Sequence, residues 1–458
     1  MRIDVGEPDA FMQLLQARYQ RDDLSAVTGI TTDSREVQPG DLYLPIIGER
    51  VDGHHFAAEA AAAGATLVIA SRQLQGVAGG LQVIQVDDTI AELGHLAGAW
   101  RQELSLPLAA ITGTNGKTTT KNLAAAMLSG SHDLLVTGQS YNSTIGLPLT
   151  LLRLARGHDL AVLEVGTSQP GEVSYLAALA RPTMALVTNV SAAHIKALKS
   201  VAGVAAEKGA LYAALPEDGV ALVNTGDEQV AAMTTTGRRF TYCLDPDGNA
   251  NVDFSARYLE SGDSGTLYLD TIATEVAMPQ RGVFLARNAV AAAALAHLLG
   301  TDPGDIRRAI ENFQLPPGRG RICRYGDVTV MDDSYNANPA STLGGLRWLS
   351  SASTTGRRMA ILGDMLELGH GSQRLHKMIG GEAAALGIDK IYCYGSESRA
   401  TCDAAAGAGA DASHFASRDD LIEALSGEMQ AGDVLYVKGS RAMAMETIIT
   451  GLFGEAPC

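Results

Sequence analysis

Cysteine, positive charge and unbroken apolar runs are all scarce in this chain, and each shortage removes a class of protein. The five cysteines (Cys243, Cys323, Cys393, Cys402 and Cys458) are odd in number, scattered, and form no C-x-x-C pair. Neither a disulfide framework nor a zinc site is therefore expected, and a reducing cytoplasm fits. Lysine and arginine total 35 against 51 acidic residues. A surface of that sign repels nucleic acid and anionic membranes, so neither is an expected partner. The richest apolar windows, near residues 56–70 and 289–299, are Ala-rich and broken by Glu59 and His297. They fall short of the roughly 18–20 apolar residues that a membrane span needs. The opening MRIDVGEPDAF has an early acid and no apolar core, so it does not read as a signal peptide.

What is present points to a large soluble protein. At 458 residues, with 46% hydrophobic and 19% charged side chains, the composition is globular and the length suggests about three domains. Residues 1–104 hold short strands and an Ala-rich helix. From 105 to 314, strand-like runs at 108–112, 160–165, 183–190 and 219–223 alternate with helical ones, which predicts a mainly parallel sheet covered by helices on both faces. Short alternation over 251–278 predicts a few antiparallel strands, 147–154 an apolar helix, and 288–299 a helix stopped by Gly300. The turn-rich Leu315-Pro316-Pro317-Gly318-Arg319-Gly320 marks a second boundary. Beyond it, 315–458 restarts the alternation, with strands at 327–331, 358–362, 390–394 and 433–437, and the Gly/Ala stretch 404–412 reads as a surface loop. The fold class is α/β in three domains, with a central P-loop-type sheet and a C-terminal Rossmann-like domain.

The most informative segment is Ala110-Ile111-Thr112-Gly113-Thr114-Asn115-Gly116-Lys117-Thr118-Thr119-Thr120. A buried strand empties into a glycine-bearing loop, and a helix follows. Gly113 and Gly116 let backbone N–H groups turn onto an anion, and the helix N-terminus adds partial positive charge. Lys117 supplies a point charge for terminal phosphates, and the Thr118 hydroxyl suits a phosphate-bound Mg²⁺. The general phosphate-loop pattern wants a Gly where Ile111 stands, so this is a shorter variant.

Other segments carry further polar chemistry. In Thr31-Thr32-Asp33-Ser34-Arg35, Ser34 can donate to a phosphate oxygen or a base edge, and Arg35 can fork onto a diphosphate. Pro39-Gly40-Asp41-Leu42 and Gly48-Glu49-Arg50-Val51-Asp52-Gly53-His54 follow at set spacing. In Tyr141-Asn142-Ser143-Thr144, the Asn142 amide and Ser143 hydroxyl can position a carboxylate without adding charge. Glu164 ends a buried strand, where an ion must be paired or metal-bound. Met331-Asp332-Asp333-Ser334-Tyr335-Asn336-Ala337-Asn338-Pro339-Ala340-Ser341 runs an apolar strand into acids and amides, then Asn338 caps a helix that Pro339 opens.

Together these segments resemble the Mur ligases, which build the peptide of bacterial cell-wall precursors, and the loop is also similar to that of folylpolyglutamate synthases. The resemblance implies an ATP-dependent amide ligase. Gly113, Thr114, Asn115, Gly116, Lys117, Thr118 and Thr119 match its ATP loop, with Asn288, Arg319, Asp333 and Asn336 on the nucleotide side. Thr118, Glu164 and His194 match magnesium-binding positions. Lys208 matches the lysine the family commonly converts to N6-carboxylysine, which would add a fourth metal-side group. Lys117, Glu164, His194 and Lys208 are the catalytic candidates. Ser34 and Arg35 match the nucleotide-sugar site. Asn142, Ser143, Tyr335, Asn338, Ser341, Lys438, Ser440 and Arg441 match substrate positions. D-D-S-Y-N-A-N-P, Leu362-Gly363-Asp364-Met365-Leu366-Glu367-Leu368-Gly369 and Val437-Lys438-Gly439-Ser440-Arg441 resemble the branch that adds D-alanyl-D-alanine to UDP-N-acetylmuramoyl-tripeptide. The implied protein is a cytoplasmic monomer using ATP and Mg²⁺. A sister or folylpolyglutamate-type ligase with another amine, and a nucleotide-binding homologue that no longer ligates, remain the alternatives.

Three departures stand out from the family pattern. Phe284-Leu285 replaces the usual His-Asn ahead of Asn288, Ile-Lys-Ala-Leu-Lys follows His194 in place of an acidic, Gly-containing turn, and Thr167-Ser168-Gln169-Pro170 replaces an Asn-His form. The first is expected to move base recognition towards packing.

Overall fold

The computed structural model describes residues 1–48, 50–76, 81–138, 141–245, 247 and 251–454; Glu49 and Cys458 lie outside them. Three sheets organise the chain. The first has five strands in chain order, from Arg2–Asp4 to Gln82–Gln85, the first pair antiparallel and the rest parallel. The helix Thr89–Glu103, capped by the Asp88 carboxylate, buries Leu93, Leu96, Ala97 and Trp100 in a core shared with the central domain. Trp100 Nε1 donates to the Leu154 carbonyl at 3.1 Å. Gly6 comes so near that a Cβ there would lie 2.1 Å from that oxygen, so only glycine permits this approach.

The second sheet has nine strands, in the order Thr274–Ala277, Ser264–Leu269, Phe254–Ser261, Arg238–Leu244, Val220–Asn224, Met184–Val187, Leu108–Thr112, Leu160–Glu164, Leu134–Val136. All pairs are parallel except the two that join the last three strands of the domain, which form the antiparallel extension anticipated over 251–278. Leu108–Thr112 is flanked by Met184–Val187 on one side and Leu160–Glu164 on the other. The winding direction therefore reverses at this strand, and ligands of open α/β sheets collect beyond the C-terminal end of such a strand. All five of its residues are buried.

The third sheet has six strands, with Arg321–Tyr325 antiparallel to Val328–Asp333, then Val434–Lys438, Arg358–Gly363, Lys390–Tyr394 and Ala412–Phe415 in parallel. Parallel strands wrapped by helices make this the expected Rossmann-like unit.

Two expectations need correction. The stretch 404–412 is no loop: the helix Arg399–Gly407 runs into it and Ala412–Phe415 is a strand. Alanine supplies the helical propensity, and Ala405 is buried beside Cys402. The helix before Gly300 begins at Val283, not Asn288, because Gly282, at φ 145°, is the residue that lets the chain turn in. Among the cysteines, Cys243, Cys393 and Cys402 are free and buried.

Candidate active site

A cleft of about 1150 Å³ lies between the second and third sheets, at the C-terminal end of Leu108–Thr112. Its floor is the loop Gly113–Gly116. Gly113 (φ 147°) and Gly116 (φ 81°) take the conformations foreseen for a phosphate cradle, and side chains at either would collide with Thr188 and Asn288 respectively. The residues after Met184–Val187 brace the loop. Asn115 N donates to Asn189 Oδ1 at 3.0 Å, while Thr188 Oγ1 and Asn189 Nδ2 donate to the Asn115 carbonyl at 2.6 and 2.9 Å. The helix Lys117–Leu128 then points its N-terminus into the cleft.

Lys117 folds back onto its own loop, Nζ donating to the carbonyls of Gly113 (2.8 Å) and Thr114 (3.2 Å). Burial lowers its pKa, Glu164 opposing and Arg319 adding to the fall. Thr118 Oγ1 donates to Glu164 Oε2 at 2.9 Å, and Asn142 Nδ2 to Glu164 Oε1 at 2.7 Å. The buried Glu164 is thus satisfied by neutral groups with Lys117 nearby, a set of hard oxygens that suits Mg²⁺ better than a soft metal. Ser143 Oγ accepts from Gly146 N at 3.3 Å, turning the chain into the helix Gly146–Leu151.

The other metal-side candidates are His194, in the cleft lining, and Lys208, behind it. Lys208 is 2% exposed. Burial, then the like charge of Lys117, holds its pKa well below the usual lysine value. Its neighbour Glu207 accepts from the amides of Gly171 (2.7 Å) and Val173 (2.8 Å) and from Thr167 Oγ1 (3.3 Å). The Thr167-Ser168-Gln169-Pro170 departure is therefore accommodated by a tie beside Lys208. His194, at φ 52°, pairs through Nδ1 with Glu367 of the C-terminal domain. Lys196 N donates to the Glu367 carbonyl at 3.0 Å, so the segment after His194 docks on the Leu362–Gly369 motif. Burial lowers the His194 pKa against the pull of Glu367. Among the described residues no three His, Cys, Asp or Glu side chains gather as a metal site. Of the metal-side candidates, Thr118 and Glu164 are hydrogen-bonded to each other, while His194 is paired with Glu367 instead.

Across the cleft, Asp332 is a buried organiser: it accepts from Ser334 Oγ at 2.5 Å and from Gly318 N at 2.8 Å, holding the linker. Arg319 lies over the Tyr335 ring, 3.6 Å from its centroid, with Arg441 at 5.8 Å. Asp333 pairs with Lys438, whose Nζ also donates to the Asn336 carbonyl at 2.8 Å. Burial raises the Asp333 pKa while Lys438 opposes the rise. Ser440 Oγ accepts from Leu366 N at 2.8 Å. Asn338 caps Pro339–Ser350 in a reciprocal box with Ser341, and its amide meets Asn115, Nδ2 to Oδ1 at 2.6 Å. One end of the capped helix thus touches the phosphate loop.

Nearly all the candidates gather here; Ser34 and Arg35 do not. Ser34 is buried in the first domain and Arg35, 81% exposed, is paired with Asp33 at 2.6 Å. The Asp33 carboxylate caps the turn Ser34–Glu36 and Arg35 forks back onto it, so in this structure the pair makes a capped turn outside the cleft. Lys208 sits behind the cleft lining rather than in it. Sequence reasoning missed Asn189, Glu207, Arg281 and Glu367 as organisers. Their partners are far apart in the chain, so no local pattern marks them as organisers.

Comparison with known proteins matches the Mur ligase family catalytic domain to residues 26–101, the Mur ligase middle domain to 111–296, and the Mur ligase glutamate ligase domain to 318–441. The chain belongs to the Mur ligase family, a class defined by this three-domain fold and its ATP loop. Among its relatives, the UDP-N-acetylmuramoyl-tripeptide--D-alanyl-D-alanine ligase of Escherichia coli (strain K12) is 36% identical, over 97% of this chain and 98% of that protein. The fold superimposes on MurF from Acinetobacter baumannii with a TM-score of 0.86 at 27% identity, over 99% of this chain and 100% of that one. It also matches the fold of the Thermotoga maritima MurF ligase solved in complex with ADP, with a TM-score of 0.80 at 23% identity, over 95% and 99% of the two chains.

Proposed function

We propose that this chain is the ATP-dependent ligase that joins D-alanyl-D-alanine to UDP-N-acetylmuramoyl-tripeptide, giving the pentapeptide, ADP and phosphate. The observation that carries the reading is the facing pair of motifs: the ATP loop meets the D-D-S-Y-N-A-N-P segment through Asn115 and Asn338. Full-length relatives bearing that activity support it.

Hydroxide is too poor a leaving group for direct amide formation. The tripeptide's terminal carboxylate oxygen therefore attacks the γ-phosphorus of ATP, the bond to the β-bridging oxygen breaks, and ADP leaves. The dipeptide's amine nitrogen then attacks the acyl carbon of the acyl phosphate, and inorganic phosphate departs as the amine loses its proton. No side-chain nucleophile is required; the protein positions the reactants and neutralises charge. Gly113 to Thr119 hold the phosphates, and Lys117, released from its loop carbonyls, follows the transferred group. Arg319, Asp333, Asn336 and Asn288 hold the rest of the nucleotide. Asn142 and Ser143 steady the tripeptide end, and Tyr335, Asn338, Ser341, Lys438, Ser440 and Arg441 the dipeptide side. Thr118 and Glu164, with His194 and a carboxylated Lys208, would hold Mg²⁺, which when bound screens the phosphate oxygens. Lys208 fits that modification because a buried, deprotonated amine captures CO₂ and becomes the anion the site lacks. Ser34 and Arg35 await the nucleotide sugar in the first domain. The domains divide at 104/105 and 314/315, and the enzyme works as a cytoplasmic monomer. No helix among the described residues is long and apolar enough to cross a membrane.

The test is ADP release from purified protein with UDP-muramyl-tripeptide, with and without D-alanyl-D-alanine. Turnover that needs the dipeptide and yields the pentapeptide is expected. ADP release with glutamate or another single amino acid instead would assign a sister ligase, and ATP binding with no turnover on any muramyl peptide would assign a homologue without ligase activity.

A further inference from the structure

The capped helix Pro339–Ser350 is tied to the central domain at both ends and once between, and the proposed chemistry accounts only for the Asn338 end. At the far end Arg281, 4% exposed, donates Nη1 to the Ser351 carbonyl and Nη2 to the Trp348 carbonyl, each at 2.8 Å. Its guanidinium also lies 5.3 Å from the Trp348 ring centroid. A planar cation with a two-pronged fork on the last carbonyls of a helix satisfies acceptors that have no backbone partner there and matches the sign of the dipole. Arg281 sits two residues before the helix Val283–Leu298, which carries Asn288 against Gly116 of the phosphate loop.

The middle tie is steric. Phe284 leans into Gly344, where a Cβ would lie 2.0 Å from a ring carbon. The next residue, Gly345, gives the same room on its other side to Tyr436, whose hydroxyl reaches Asp333 Oδ2 at 3.4 Å. The Gly344-Gly345 pair is thus a double notch. One ring enters from the central domain and one from the helix's own sheet, so the position of the helix relative to Asp333 and Lys438 is fixed from both sides.

We propose that Arg281, together with the Phe284–Gly344 notch, is a positioning element for ligation. It anchors the distal end of Pro339–Ser350 so that the 333–338 segment is held over the phosphate loop. Arg281 is engaged with the last carbonyls of the helix and acts through it. The proposal rests on the ligase reading given above.

The test compares Arg281→Met, Arg281→Lys, Gly344→Ala, Phe284→Ala and the double change with the full-length enzyme. With the distal anchor lost, misplacement of about 1 Å at the reacting groups lowers kcat by up to about 10²-fold and raises KM for D-alanyl-D-alanine. Affinity for ADP, measured directly, falls by less than kcat does, because Gly113–Thr119 still hold the phosphates while only Asp333 and Asn336 shift with the segment. Arg281→Lys, keeping charge but not the fork, recovers part of the loss. Gly344→Ala is impaired on its own, and Phe284→Ala in the same chain relieves it, because the ring that the methyl displaces is gone. Kinetic constants per active site that stay within twofold in Arg281→Met overturn the proposal, as does a fall in Tm and active fraction with KM unchanged. Failure of Phe284→Ala to relieve Gly344→Ala overturns the notch. If the unmodified enzyme makes no pentapeptide, it is the function reading that fails. Amide exchange of 347–351 then still decides the anchor: unchanged exchange in Arg281→Met rejects it, and faster exchange keeps it.

Discussion

The two ends of the nucleotide cleft are built on different principles. The phosphate end is built from backbone: positive-φ glycines and a helix N-terminus, with Glu164 and Lys117 buried among them. At the opposite end the helix Val283–Leu298 presents Phe284, Asn288 and Ala291 to the cleft at helical spacing. Of these only Asn288 carries a polar side chain, and it packs close to Gly116 of the loop; Arg287 of the same helix also lines the cleft. Phosphate geometry leaves little freedom to vary, because the amides must converge on one anion. The other end is also the seam between two domains, so its residues answer to packing as much as to ligand.

That contrast is broken most severely by Lys117→Ala. The side chain is the cradle's mobile cation, so ligation is expected to fall by at least about 10³-fold, the range of a lost transition-state charge contact in phosphoryl transfer. The fold persists, since Lys117 hydrogen-bonds only to its own loop carbonyls. Circular dichroism and direct ADP binding check the fold while phosphate release checks the chemistry; unchanged turnover would remove the cradle assignment.

Lys208→Ala comes next. It is expected to be nearly inactive and to recover with acetate or formate, which can occupy the vacated carboxylate position; intact mass on the gently handled enzyme tests for the added CO₂. A fully active enzyme carrying the free amine would end the idea. The unmodified protein gives a second readout. The folded-state pKa of Lys208 is depressed, so the native state binds fewer protons than the unfolded one between that value and the ordinary lysine pKa of about 10.4. Stability therefore rises with pH across that window, and Lys208→Met should flatten the rise in denaturant midpoints.

These two positions also mark how far sequence reading reached. Lys117 was legible because a strand, two glycines and a helix start lie within a dozen residues, so local chemistry announces the site. The capped start at Asn338-Pro339 was legible for the same reason. Lys208 was found only through family spacing, since nothing local distinguishes a buried lysine in Ala-rich helix from a solvated one. Glu367 and Arg281 went unread because their partners, His194 and the carbonyls of Trp348 and Ser351, are 173, 67 and 70 residues away. The Gly/Ala stretch at 404–412 misled in the other direction: glycine suggested a loop, while alanine's helix propensity and the burial of Ala405 made a helix.

Glu367→Ala is a milder break. It removes the carboxylate that holds His194 towards the C-terminal domain. A partly exposed pair of this kind contributes about 1 kcal/mol or less, so thermal stability should barely move. Mg²⁺ dependence should instead sharpen, because His194 no longer has a competing partner. A Mg²⁺ titration of turnover checks this; a midpoint shifted to higher Mg²⁺ would show that the pair holds His194 in its working position.

The smallest expected effect lies at the base end. Phe284 is 39% exposed in the cleft and Leu285 is buried, so neither replaces the hydrogen bonds that polar groups at these positions would supply. The ring stands one helical turn from Asn288, about 6 Å along the axis. That is near enough for a base whose phosphates rest on Gly113–Lys117, and the Arg287 guanidinium lies 5.7 Å from the ring centroid. A flat apolar face beside a cation stacks on any purine. Each neutral hydrogen bond not made forgoes about 0.5–1.5 kcal/mol, so ATP affinity should fall by around tenfold or less. Discrimination suffers more than affinity, because a wrong base is rejected chiefly by leaving buried donors and acceptors unpaired, and here few are offered. The enzyme should accordingly use GTP with kcat/KM within about a hundredfold of ATP, and Phe284→Asn should lower GTP use more than ATP use. An ATP preference of several thousandfold in the unmodified enzyme would place base reading on other groups, Asn336 first among them, and leave Phe284 only its part in the notch at Gly344.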